Sequence, residues 1–192
     1  MVDYDYALKP DFKNMTKKEA KEHFESYVAD IPNRMMILEE YVNGRYKANV
    51  KFDYTVDSLV HLWTWFESVM TIEKKTQEEI ERDLSVLADW MHDIVLQNTT
   101  RPSLTTIAIG NDIAIYFAEV FRKNNPKVYW SYIATRKKHI SYNHPVLMGF
   151  VNKMDMDPER LIKTCTLESL EKKNPICLVD LCDIWQEYIS KD

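Results

Sequence analysis

Glycine is almost absent from this chain: Gly44, Gly110 and Gly149 are the only three in 192 residues, where average usage would supply about 13. The shortage favours helices joined by short caps. It also leaves no GxGxxG, GxxxxGK[ST] or GxSxG run, so the motifs by which a glycine-rich loop cradles a nucleotide or a sharp turn presents a nucleophile are missing. Cysteine is sparse and odd in number. Cys165, Cys177 and Cys182 form no CxxC pair, and free thiols filling a core in a reducing cytosol are the simplest account. No apolar run approaches the roughly 20 residues that span a bilayer. The first residues, MVDYDYALKPDFKN, are acidic and aromatic and lack the basic and apolar regions of a signal peptide. These absences lead to the expectation of a soluble, cytoplasmic protein without a cofactor.

What is present is enough apolar material for a sizeable core: 45% of residues, against 29% charged with both signs interspersed. The net charge of −5 gives no global attraction to nucleic acid or to an anionic membrane. The length suits one domain, so residues 1–192 are read as a single domain preceded by an extended arm over 1–14, where Pro10 breaks any helix.

Two capping boxes mark helix starts, at Thr16–Glu19 and at Thr76–Glu79. The first opens a helix with Ala20, Phe24, Tyr27, Val28 and Ile31 on one side. Pro32 suits the first turn of a second helix, running through Met35 and Leu38 to a cap at Gly44. Val50, Phe52 and Tyr54 alternate with polar residues as in a short strand. Asp57 or Thr55 then caps a helix from about Ser58 to Met70. The second box opens a long amphipathic helix with Ile80, Leu84, Leu87, Ala88, Met91, Ile94 and Val95 inward.

Leu104–Phe121 (LTTIAIGNDIAIYFAEVF) is apolar almost all the way round, so it should be the central helix, at about 103–123, wrapped by the N-terminal helices and the last two. After Pro126 the texture becomes β-branched and aromatic. Lys127–Ile133, Ile140–Tyr142 and Pro145–Val151 predict a small antiparallel β-meander at about 127–151. Helices from Asp157–Pro158 and from Asn174–Pro175 complete a mainly α (α+β) fold.

The chemistry on offer is thin. Asp112 and Glu119 fall within roughly 20° on the central helix, with Tyr116 on the flank one turn from each and Thr105 and Lys123 on the same side. In a cleft, burial would raise one carboxyl and make an acid–base group. Against that, seven residues separate the carboxyls by roughly 10 Å, wide for a cooperating pair, and the simpler account is that the strip meets solvent or pairs with an arginine or lysine from the basic turn at Arg136–Lys138. His144 and His139 flank Ser141, Tyr142 and Asn143 in a loop, the kind of segment that carries function. The weak catalytic candidates are therefore Asp112, Tyr116, Glu119 and His144.

Glu19 with His23, and Asp89 with His92 and Asp93, have helical metal-ligand spacing, but no Glu-x-x-His occurs and Asp89 and His92 fall on the polar side of their helix, so no metal site is expected. Arg122, Lys123, Lys127, Arg136, Lys137 and Lys138 gather near Tyr129, Trp130 and Tyr132. That combination can grip single-stranded nucleic acid, although the acidic balance and the missing RNP pattern favour a solvated face. In HLWTWF, His61 and Trp65 fall together off the apolar stripe, as a second buried face or as an anchor for a protein interface.

The reading is a non-enzymatic protein–protein interaction module whose partner is another protein, with an antitoxin or immunity-type neutraliser as one example; a homo-oligomer is compatible with it. The alternative is an enzyme or small-ligand binder with a pocket between the central helix and the small sheet, using Asp112, Tyr116 and Glu119 with His144.

Overall fold

The computed structural model describes residues 10–189, so the first nine residues of the expected arm lie outside the described residues. Seven α-helices are described, α1 (Lys17–Glu39), α2 (Val56–Val69), α3 (Gln77–Val86), α4 (His92–Gln97), α5 (Leu104–Asn124), α6 (Pro158–Glu171) and α7 (Cys177–Gln186). Four short strands accompany them, β1 (Ile72–Lys74), β2 (Thr100–Pro102), β3 (Tyr129–Tyr132) and β4 (Pro145–Met148). The strands make two antiparallel two-stranded sheets, β1–β2 and β3–β4, and the mainly helical α+β class is as expected from the sequence.

The α5 helix is the centre of the fold. Ser103 caps it by accepting from the Thr106 N–H, and from Ala108 to Phe121 all but Asn111 are buried. Such a helix has the length and composition to cross a membrane, but most of it is enclosed by the protein. It packs against α6, α1 and α2, while α7 closes on α2 rather than on α5. Phe66, Phe117, Phe121 and Trp63 are fully or almost fully buried in the core, each stabilising the fold by about 1.5–3 kcal/mol relative to exposure.

Several local expectations are corrected. Pro32 does not begin a helix: α1 runs through it without a break to Glu39. Proline removes one hydrogen bond, while Ile31, Met35 and Leu38 on either side are buried in the core; tertiary packing outweighs the lost bond. Gly44 is no cap either but lies inside a π-helical turn over Glu40–Arg45, and the chain reverses through left-handed Lys47 and Asn49. Residues 50–54 form no strand. Asn43 takes the place of one, its side-chain amide accepting from the Val50 N–H and donating to the Val50 carbonyl, both at 2.8 Å.

The meander is a hairpin of β3 and β4; Tyr142 contributes a single parallel bridge to Ile133 in place of a third strand. The Thr76 capping box forms as expected, but the helix behind it breaks at Leu87 and Ala88, resumes as a 3₁₀ turn and ends in α4. Its stripe is not inward: α3 buries none of its residues and α4 only Val95. Residues 72–102 form a side excursion on a β1–β2 stem, in which Glu73 of β1 faces Arg101 of β2 in an ion pair of 2.7 Å. The sequence pattern did not show this stem.

Candidate functional site

The acidic strip of α5 meets neither solvent nor the basic turn, whose Arg136 pairs with Asp155, but arginines of α1 and of α5 itself. Asp112 is fully buried, and Arg34 of α1 donates to its Oδ1 from Nε at 2.7 Å and stands with Nη2 at 2.5 Å. A carboxylate without exposure requires such a charge-assisted partner. Glu119, 6% exposed, is gripped by both prongs of Arg122 at 3.0 and 2.8 Å and by the Trp130 indole N–H at 2.8 Å. It ties the last turns of α5 to β3.

Tyr116 turns away from both carboxylates. Its hydroxyl accepts from the Tyr54 N–H at 3.1 Å and shares a 2.8 Å hydrogen bond with Ser58 at the start of α2. Burial raises its phenol above the ordinary value, so it stays protonated as a structural donor. The three residues therefore hold three different elements and do not converge on one space.

Burial pushes the Glu119 carboxyl up, but the bonds from Arg122 and Trp130 outweigh it and hold the group below its ordinary value. A depressed carboxyl contributes stability that is present above the unfolded pKa, and this contribution fades as pH falls through the folded one. Glu119→Gln is accordingly expected to narrow its stability deficit from the wild type only as pH drops below about 4.5. Urea midpoints measured for both chains across that range check the sign.

His144 lies 3.5 Å from Asp157 through Nδ1, and its ring lies tilted by 32° against Phe12 with centroids 4.0 Å apart. Asn143 donates to the Phe12 carbonyl at 2.9 Å, so the loop fastens the N-terminal approach to the body. Asp157 serves as the N-cap of α6, accepting from the Arg160 N–H at 3.1 Å. His144 thus faces a carboxylate that already caps a helix.

His61 pairs with exposed Asp57 on its own helix. Trp65 is 8% exposed, with Tyr41 and Tyr46 set edge-on to its ring; it forms the second buried face rather than an interface anchor. The basic cluster is dispersed. Arg122 serves Glu119, Lys123 sits over the Tyr54 ring, and Arg136 reaches Asp155 at 3.6 Å, leaving Lys137 and Lys138 exposed at the loop tip.

A groove of about 740 Å³ runs between α6, α7 and the loops over 136–141 and 152–155, and a cavity of about 250 Å³ lies between α5, α6 and β2. Neither is lined by Asp112, Tyr116, Glu119 or His144, and neither separates the central helix from the β3–β4 sheet. Cys165 and Cys177, both free and buried, lie on the wall of the groove. Among the described residues no cluster of three or more His, Cys, Asp or Glu converges as a metal site.

The surface that sequence reasoning missed is on the excursion. Val86, Trp90, Ile94 and Leu96 are 74%, 76%, 49% and 55% exposed. Trp90 and Leu96 fall off the apolar stripe of this segment, which was the available signal, and Ile94 was read as inward. Exposed acids share the same segment: Glu78, Glu81, Asp89 and Asp93, whereas Glu79 and Asp83 are taken up by Arg101 and Lys75. Exposed apolar side chains and exposed acids thus share this excursion, with Lys74 and Arg82 as its exposed basic residues. No protein-family model matches this chain, and neither a curated protein nor a solved structure matches it significantly.

Proposed function

We propose that the chain is a non-enzymatic, cytoplasmic protein-binding module that docks its partner on the α3–α4 excursion. One observation carries the reading: four large apolar side chains between positions 86 and 96, Trp90 among them, are exposed on helices that bury almost nothing of their own. Exposed apolar groups gathered in this way mark interaction sites, and a tryptophan rimmed by charge is the usual anchor of one. The pairing of Asp112 and Glu119 with arginines supports the non-enzymatic side, and the three free, buried cysteines suit a reducing compartment. A neutraliser of antitoxin or immunity type is one protein of this description.

The test is differential. A stoichiometric protein retained by the wild-type chain, whether a foreign chain or this one, is expected to be lost about tenfold or more from Val86→Asp/Trp90→Asp, with the thermal midpoint unchanged. Equal retention by both chains, or none by either, defeats the proposal. The groove beside Cys165 and Cys177 favours a second reading, a small-ligand binder; raised thermal stability with a small molecule, lost on filling that groove by Thr164→Trp, would support it.

A further inference from the structure

The excursion presents exposed apolar groups in a negative field, and the opposite combination occurs elsewhere on the same chain. In the β3–β4 loop, Lys137 and Lys138 are exposed at the tip beside Arg136. Ile140 in the same loop is 67% exposed. The excursion thus offers Trp90 and Ile94 among Glu78, Glu81, Asp89 and Asp93, with Arg82 the basic residue among them; the β3–β4 loop offers Ile140 beside Lys137 and Lys138. We infer that the α3–α4 excursion of one copy docks on the basic β3–β4 loop of a second copy of this chain. The inference rests on the reading of the excursion as a protein-docking face and names its occupant.

The physical case is complementarity of both kinds at once. Apolar contact between Trp90 and the Ile140 side supplies the desolvated centre, and the lysine and carboxylate charges set the partner and the register. Like surfaces repel here: two excursions facing each other would oppose acid to acid, and two loops base to base. The contact is therefore between different patches, one from each copy, and it either closes reciprocally into a two-fold pair or continues head to tail.

That asymmetry gives a stringent test on the full chain. Light scattering during gel filtration over a roughly hundredfold concentration range should show the wild-type mass rising from 22.8 kDa to multiples of it. Trp90→Asp loses the excursion face and Lys137→Glu/Lys138→Glu loses the loop; each alone should remain a monomer, with association weakened about tenfold or more. Mixed in equal amounts, the two variants should form a one-to-one complex, because each supplies the surface the other lacks. Far-UV dichroism and the thermal midpoint confirm that the variants are folded, and Ile94→Asp replaces Trp90→Asp should that chain not fold.

A wild type that stays monomeric throughout overturns the inference. So does a mixture that stays monomeric, association that survives the loop reversal, or association indifferent to salt. If copies do not associate while a different protein is still lost from Val86→Asp/Trp90→Asp, the inference fails and the docking face stands; if the excursion variants change neither measurement, both fail.

Discussion

Alanine at Gly149 is expected to destabilise the protein by roughly 3–5 kcal/mol, enough to leave much of the chain unfolded. Gly149 follows β4 with φ +110°, a conformation that side-chain-bearing residues rarely adopt. A Cβ there would stand 2.2 Å from the Lys127 carbonyl oxygen and 3.1 Å from the Val128 Cα. These are backbone atoms, so no flexible side chain can move aside, and relief requires pulling the segment before β3 away from the end of β4. Gly110 supplies the contrast. It lies within α5, and its added Cβ would meet Phe66, Ile162 and Thr166 at 3.7–3.9 Å, ordinary contact. Gly110→Ala is expected to be neutral or to stabilise by up to about 1 kcal/mol, since alanine is the better helix former. Urea unfolding of both variants decides it; equal effects of one sign would contradict the geometry.

Arg34→Ala is expected to cost about 3 kcal/mol or more, because it removes the guanidinium from a carboxylate that has no exposure. Asp112 sits in the middle of α5, walled by α1, and cannot regain water without opening that contact. Arg34→Lys should recover only part of the loss, since an ammonium cannot reproduce the two-nitrogen approach to Oδ1. Replacing both partners, Arg34→Met with Asp112→Leu, should return close to wild-type stability. Chemical denaturation of the three chains measures this; a double variant as damaged as Arg34→Ala would mean that the pair contributes beyond mutual neutralisation.

The central helix was legible because its apolar arc is too wide to leave exposed, and the hairpin after it because β-branched and aromatic residues alternate there. The capping boxes at Thr16 and Thr76 were legible because their reciprocal bonds are local. What failed was non-local. The continuation of α1 through Pro32 depends on core packing from both sides of the proline, and Asn43 standing in for a strand partner of Val50 depends on a turn that no propensity encodes. The carboxylate partners divide in the same way: Arg122 lies one turn from Glu119, whereas Arg34 is brought to Asp112 only by the packing of α1 on α5. The excursion misled for another reason. Period alone cannot tell a stripe that packs on a core from one left facing solvent, and the apolar residues from Ile80 to Val95 have the right period in either case.

The base of that excursion has a consequence for how its sequence can change. Thr71 and Ser103 meet where the stem joins α5: their hydroxyls lie 2.8 Å apart, the Thr71 N–H donates to the Thr106 hydroxyl, and the Thr71 carbonyl accepts from the Ser103 N–H and the Thr106 hydroxyl. Ile72 pairs with Pro102 immediately above. The chain therefore leaves and re-enters the body at one latched point, and what lies between contributes little to the buried interior. Such a branch can open, lengthen or be rewritten residue by residue while α5 keeps its cap and its packing. Changes on the branch and changes in the trunk are thereby placed under separate selection: a lineage can rewrite the one without rebuilding the other.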